Sequence, residues 1–329
     1  MATRPQSPAP AGPARPAAPR IGLGLAAVGR PGYINLGRDR DLPPGRGVGA
    51  MRERTHELLD RAYESGVRDF DAARSYGRAE EFLAEWLDAA ERPDAVVSSK
   101  WGYTYTADWR VQAEAHEVKD HSLATYQRQL AETRALLGDR LAIYQIHSVT
   151  PDSPALTDAA LHHALAELAA EGVLVGLSTS GPEQGEAIRA ALAITVDGEP
   201  LFRCVQATWN PLEPSAGPAL AEAYAAGCRV MVKEAMANGR LAVPEPLVAE
   251  ALAPLVAAHD ITHDALALAA ALHQPWASVV LSGAATAAQL DSNLTALTVR
   301  LTPSDLTTLS ALAEPPTTYW RHRASLPWN

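Results

Sequence analysis

The sequence predicts a single-domain α/β fold, a (β/α)8 barrel of the TIM type, and three observations predict it. Eight short apolar runs recur along the chain, at Ile21–Leu25, Arg68–Asp71, Ala95–Lys100, Leu141–Ile146, Val173–Ser178, Cys204–Thr208, Arg229–Val232 and Ser278–Leu281. They are continuous rather than alternating, as expected of parallel strands buried on both faces. Helical stripes fill the gaps: Leu58, Leu59, Ala62 and Tyr63; Phe82, Leu83, Trp86 and Leu87; Leu161, Leu165 and Leu168; Leu290, Leu294 and Leu297. Lastly, the glycine-rich turn after the first run lacks the fingerprint of a doubly wound sheet. In Gly22-Leu-Gly24-Leu-Ala-Ala-Val-Gly29 the third glycine comes too late for G-x-G-x-x-G, and the segment 30–49 behind it is rich in Gly, Pro and charge rather than helical.

The 329 residues suit one such barrel with additions. Residues 1–19 form a Pro/Ala-rich leader expected to be disordered, 20–314 the barrel, and 315–329 a C-terminal tail near the active-site mouth. A hydrophobic fraction of 47% is ample for a core. The net charge of −10 argues against nucleic acid and against an anionic membrane surface as partners. No apolar run approaches the ~18 residues of a membrane span. The run Ile21–Val28 contains glycines and suits a first strand better than a signal-peptide core, so a cytoplasmic protein is expected. Cys204 and Cys228 form no Cys-x-x-Cys and are read as buried, reduced thiols. His162 and His163 are adjacent, and a helix break separates His259 from His263, so no metal site is expected.

Asp71, Lys100 and His147 each close one of three successive strand-like runs, and Tyr76 follows Asp71 by five residues. At the C-terminal ends of barrel strands two, three and four these groups would converge on one rim. A phenol is a poor acid at neutral pH, and an ammonium beside it is expected to lower its pKa. Asp71 would supply the ammonium's countercharge, and His147 would orient a substrate oxygen by hydrogen bonding. The set suits reduction of a carbonyl, where charge builds on oxygen as hydride reaches carbon. Singly, such an Asp reads as a turn former, such a Tyr as packing and such a Lys as solvated; the order and the strand-end positions favour the joint reading.

With these residues the chain resembles the aldo-keto reductase family from about Ile21 to Leu312. The matching stretches are Asp71-Ala-Ala-Arg-Ser-Tyr-Gly-Arg-Ala-Glu-Glu81, Val97-Ser-Ser-Lys100, Ile143-Tyr-Gln-Ile-His-Ser148, Gly172-Val-Leu-Val-Gly-Leu-Ser178 and Leu281-Ser-Gly-Ala-Ala-Thr-Ala-Ala-Gln-Leu-Asp-Ser-Asn-Leu294. The resemblance implies a barrel that binds NADP(H), in preference to NAD(H), in extended form, with Asp71, Tyr76, Lys100 and His147 as catalytic residues and Tyr76 as general acid. It implies that Ser178, Thr179 and Gln206 contact the nicotinamide carboxamide. Lys233 falls where many relatives hold an aromatic side chain against the nicotinamide. Either it pairs with Glu234 and packs its methylenes on the ring, or the cofactor sits differently and Trp209 supplies the aromatic contact. Gly24, Gly283, Thr286, Gln289 and Asn293 suit the remaining cofactor contacts, and Arg240 could reach the phosphates.

Most aromatics of this aromatic-poor chain (6%) fall in or near loops, and Trp101 and Trp320 are expected to line an aromatic substrate mouth together with Trp209. The expected activity is NAD(P)H-dependent reduction of a small-molecule aldehyde or ketone to an alcohol. Two other functions fit parts of the pattern: a Schiff-base aldolase using Lys100 as nucleophile, and a catalytically weak NADPH-binding barrel with a regulatory or sensing role.

Overall fold

The computed structural model describes residues 20–328 except Asn35 and Gly37, so the expected leader over 1–19 lies outside the described residues. Eight parallel strands close a barrel: β1 (Arg20–Gly24), β2 (Asp69–Asp71), β3 (Val96–Trp101), β4 (Leu141–Val149), β5 (Leu174–Thr179), β6 (Cys204–Thr208), β7 (Arg229–Lys233) and β8 (Val279–Ser282). Each strand pairs with its neighbours in sequence, and β8 returns to pair with β1. All eight expected runs are strands; β4 extends to Val149, beyond the expected end at Ile146.

Helices α1 (Val48–Glu64), α2 (Ala79–Ala89), α3 (Leu123–Leu137), α4 (Ala159–Ala170), α5 (Gln184–Leu192) and α6 (Gly217–Ala225) each connect one strand to the next. Two helices, α7 (Pro246–His259) and α8 (His263–Leu272), follow β7, separated by Asp260 in the left-handed region (φ 50°). After β8 come α9 (Ala287–Leu294), α10 (Pro303–Ser310) and α11 (Pro316–Ser325). The stripes bury as expected at Leu58, Leu59, Ala62, Phe82, Leu83, Trp86, Leu161, Leu165, Leu168 and Leu290. Leu297 is the exception, 40% exposed, because α9 stops at Leu294 and a tighter turn over Thr295–Thr298 breaks the 3.6-residue period. Among the described residues, no single helix is long and apolar enough to cross a membrane.

Strand alternation divides the barrel wall into an inner and an outer face. On β3, Ser98 and Lys100 reach Asp71, while Ser99 reaches Glu80 on α2. The inner face therefore carries Ser98 and Lys100, and the outer face Ser99 and its alternates Val97 and Trp101. Ile143, Cys204, Met231, Val279 and Leu281 pack together as one cluster in the interior. Cys204 and Cys228 are free and buried. The long segments expected to be irregular hold small elements. Segment 102–120 contains a hairpin of Tyr103–Tyr105 with Glu117–Lys119, and the tail becomes helix α11.

Candidate active site

Asp71 ends β2 and lies fully inside, 2% exposed. Its Oδ1 accepts from Ser98 Oγ at 2.7 Å and from Gln206 Nε2 at 3.2 Å, and its Oδ2 accepts from the Lys100 ammonium. Lys100 is completely buried and also donates to the Ala72 carbonyl at 2.9 Å. A buried charge stays ionised only with partners of this kind.

Tyr76 sits on the β2–α2 loop, and glycines fix its place. Gly77 has φ +62°, and a Cβ there would stand 2.6 Å from the Gly29 carbonyl. A Cβ on Gly29 would meet Tyr76 O and Ala79 Cβ at 2.5 Å. The two loops thus close on each other backbone to backbone, tied by Arg78 N–H donating to Gly29 O at 2.8 Å. The Tyr76 ring has the Lys100 ammonium 4.9 Å and the Arg30 guanidinium 5.3 Å from its centroid. His147 meets it edge-on at 5.5 Å. The four expected catalytic side chains are therefore gathered at one rim of the barrel.

The electrostatics differ from expectation at the phenol. Burial, and then the Asp71 charge, push its pKa well above the ordinary value, with Arg30 opposing. The expected lowering by Lys100 fails because the ammonium faces the ring and spends its hydrogen bonds on Asp71 and Ala72 O. Tyr76 is thus a phenol that keeps its proton throughout the neutral range. His147 is pushed well below its ordinary value by burial, then by Lys100, Lys233 and Arg30. It is a neutral imidazole near pH 7. Ser75 Oγ lies 3.5 Å from Nδ1, and a hydroxyl donated there leaves Nε2 to carry the N–H.

A cleft of about 670 Å³ opens beside these groups, bordered by Gly24, Tyr33, Asp71, Tyr76, Gln206, Lys233 and Gly283 among others. A second cleft of about 1030 Å³ continues from it, sharing Met236, Gly239 and Gly283, and reaches Arg40, Gln289 and Asn293. A Cβ built on Gly283 meets no atom within 4 Å, so a side chain there would stand in open space at the junction. The segment after β1 bridges to the β7 loop: Asn238 Nδ2 donates to Ile34 O at 2.8 Å, and Leu36 N–H donates to Asn238 O at 3.1 Å. The two clefts form one elongated channel with small residues at its waist, and its far end carries Arg40 beside the carboxylates of Asp41 and Asp264.

The other expected contacts divide. Gly24, Gln206, Lys233 and Gly283 border the first cleft, and Gly283, Gln289 and Asn293 the second. Thr286 caps α9, accepting from Gln289 N at 3.2 Å. Ser178 and Thr179 are buried outside the cleft lining, because Ser178 Oγ accepts from Ser148 N at 2.9 Å and Thr179 Oγ1 donates to Gln184 at 3.4 Å. Arg240 forms an ion pair with Glu314 instead of facing either cleft. Lys233 lies 15% exposed, its Nζ donating to Thr208 Oγ1 at 2.8 Å and standing 3.9 Å from Glu234.

Two expected substrate contacts are corrected. Trp101 is 0% exposed and packs on Tyr126 (centroids 5.1 Å apart) and His121 (6.0 Å); following inward-facing Lys100, it must point outward to the helices. Trp209 packs edge-on against Trp276 at 5.8 Å and against Gly217, and does not border the cleft. Trp320, on α11, stays near the mouth, its ring centroid 5.9 Å from Lys233 Nζ. Sequence reasoning missed Arg30 and Tyr33. Arg30 is 2% exposed, donates to Ser75 O and Glu117 at 2.9 Å, and lies over the Tyr33 and Trp328 rings at 5.1 and 4.7 Å. A lone arginine in a polar loop gives little local signal; of its aromatic neighbours only Tyr33 is near in sequence, while Tyr76 and Trp328 are remote.

A closed parallel barrel with its polar cluster at the strand C-termini is the architecture of a barrel enzyme, active site at that rim. The sequence matches the Aldo/keto reductase family over residues 44–314, and the chain belongs to that family, whose chemistry is oxidoreduction. Among solved structures it is similar to the aldo-keto reductase AKR11C1 from Bacillus halodurans in its holo form, with a TM-score of 0.67 and 22% identity over 90% of this chain and 92% of that one. It is also similar to PA4992 of Pseudomonas aeruginosa, with a TM-score of 0.60 and 22% identity over 88% of this chain and 90% of that one. No curated protein matches the sequence.

Proposed function

We propose that this protein reduces an aldehyde or ketone to an alcohol with a nicotinamide cofactor, Tyr76 supplying the proton. The observation that carries this reading is the buried phenol bordering the cleft between two cations, with a neutral imidazole against its edge. Bound nicotinamide would supply hydride to the carbonyl carbon. As the C=O π pair collects on oxygen, the Tyr76 O–H bond breaks and its proton passes to that oxygen. The phenolate left behind is stabilised chiefly by the Arg30 guanidinium, 5.3 Å from the ring centroid, in a field that burial leaves little screened. His147 Nε2–H orients the oxygen before transfer. Asp71 positions Lys100 and, through Gln206 Nε2, one wall of the cleft.

Arg40, at the border of the second cleft, is a cation suited to the extra phosphate of NADP(H). Asp41 and Asp264 share that border, Asp264 engaged by Asn293 Nδ2 at 2.6 Å. We therefore assign NADP(H) over NAD(H), decided by comparing the Kd values of NADPH and NADH. The aldolase reading is disfavoured by Lys100, which is fully buried and committed to Asp71, with no access for a substrate carbonyl.

Tyr76→Phe tests the mechanism. Cofactor Kd should stay within a few-fold of the parent protein, while turnover of a carbonyl panel should fall by about 10²–10⁴, the loss expected for a general acid. Unchanged turnover would remove Tyr76 from the reaction.

A further inference from the structure

Lys233 ends β7 and lines the same cleft as Tyr76, Asp71 and Gln206. The charges that face it come from several elements. From β6, Thr208 Oγ1 accepts its proton at 2.8 Å. Next to it, Glu234 lies 3.9 Å away, but that carboxylate is already held by Arg323 of α11 through both Nε and Nη2, and by the Thr208 hydroxyl at 3.0 Å. Deeper in, Asp71 and Lys100 neutralise one another. Arg30 is balanced by Glu117 at 2.9 Å. Among the described residues, Glu234 and Asp71 are thus each matched by another cation, and the Lys233 ammonium is the charge left over at this wall.

We infer that Lys233 makes the cleft discriminate between the redox states of its cofactor, holding the reduced nicotinamide more tightly than the oxidised one. This rests on the nicotinamide reading proposed above. The two redox forms share the same phosphates, ribose and adenine, so those contacts cancel in the ratio of their affinities. What differs is the formal positive charge of the oxidised ring. That charge enters a partly dry cleft whose wall already bears an ammonium, where repulsion is far less screened than in water. The reduced ring is neutral and incurs none of it. By linkage, the protein at equal nucleotide concentrations fills with the reduced form, while the overall equilibrium between carbonyl and alcohol is unchanged.

The effect has a pH signature. Burial, partly offset by Glu234 and reinforced by Arg323, brings the Lys233 pKa down to about 8. The titratable groups at and behind the cleft hold their state through that window: burial keeps the Tyr76 and Tyr33 phenols protonated and the neighbouring His147 neutral, and Glu234 stays ionised, with a pKa of about 2. Loss of the ammonium is therefore the change expected at this wall between pH 7 and 9.5.

Titrating the full-length protein with NADPH and with NADP⁺, read by quenching of tryptophan fluorescence, tests the inference without turnover. At pH 7 the parent protein should prefer the reduced form by about tenfold or more. Lys233→Met should bring the ratio close to one, chiefly by tightening NADP⁺, and Lys233→Arg should retain the preference. Between pH 7 and 9.5 the parent's ratio should fall while that of Lys233→Arg stays level. A parent ratio indifferent to pH, or an unchanged ratio in Lys233→Met, overturns the inference while leaving the reductase reading intact. If neither nucleotide binds the parent protein, both readings fall. Should Lys233→Met not fold, the pH series on the parent and on Lys233→Arg decides alone.

Discussion

Lys100 and Trp101 are neighbours in sequence and occupy opposite sides of the barrel wall. Lys100 faces inward and completes the charge cluster; Trp101 faces outward and fills the seam between β3 and α3, against Tyr126. A loop tryptophan would line the pocket, whereas a tryptophan that is the last residue of a strand obeys the two-residue period. The difference is measurable. Trp101→Ala should lower unfolding stability by about 3–5 kcal/mol, as expected for emptying a buried aromatic site, in urea denaturation. KM for the carbonyl substrate should be unchanged in the fraction that folds. A large rise in KM with full stability would return Trp101 to the substrate mouth.

At the scale of elements, the strands were legible because a strand buried on both faces must be apolar at consecutive positions. Asp71, Lys100 and His147 were legible because they interrupt or end those runs, and Tyr76 through its spacing from Asp71. The hairpin of Tyr103–Tyr105 and Glu117–Lys119 was not: its strands are only three residues long and partly exposed, too short for a pattern to stand out. Arg30–Glu117 and Arg240–Glu314 join residues 87 and 74 positions apart, so only the closed fold reveals them. Ser178 and Thr179 lie where the resemblance put them in the chain, yet their hydroxyls engage Ser148 and Gln184, an orientation no spacing reports. Gly176, central in β5, shows how tightly the elements close. A Cβ there would lie 2.5 Å from the Cys204 carbonyl and 2.7 Å from Cys204 Cβ, both atoms of the rigid wall of β6. Gly176→Ala should therefore cost about 1–3 kcal/mol, seen as a lower urea midpoint at unchanged m value. A midpoint equal to the parent's would mean that β5 and β6 can separate without loss.

Over the whole molecule, the burial that keeps the site's groups neutral also makes the fold sensitive to acid. His121 is 4% exposed, linking Ser153 Oγ (2.6 Å) to the His147 carbonyl (2.8 Å). Burial is the main cause that lowers its pKa to about 4, and His147 is pushed down as well. In the unfolded chain both imidazoles take up protons as pH falls through about 6.5. The folded His121 does not until about pH 4. The unfolded state thus binds more protons across that window, and stability falls with pH there. Glu234 acts in the same direction lower down. Burial raises its pKa, but Arg323 and Lys233 outweigh this and hold it at about 2, so its contribution is present above about 4.5 and lost as pH drops toward 2. At the alkaline end the buried phenols of Tyr76 and Tyr144, raised by desolvation, resist ionising where unfolded tyrosines ionise near pH 10, so stability declines above that value. The urea midpoint should therefore be highest between about pH 7 and 10 and fall steeply from 6.5 to 4. His121→Gln, which keeps a hydrogen-bonding side chain but cannot titrate, should make that acid limb shallower by about one proton, roughly 1.4 kcal/mol per pH unit. The slope is read from urea midpoints at several pH values, so a uniform loss of stability in the variant does not affect the comparison, and an acid limb of unchanged steepness would show that His121 is protonated in the folded protein.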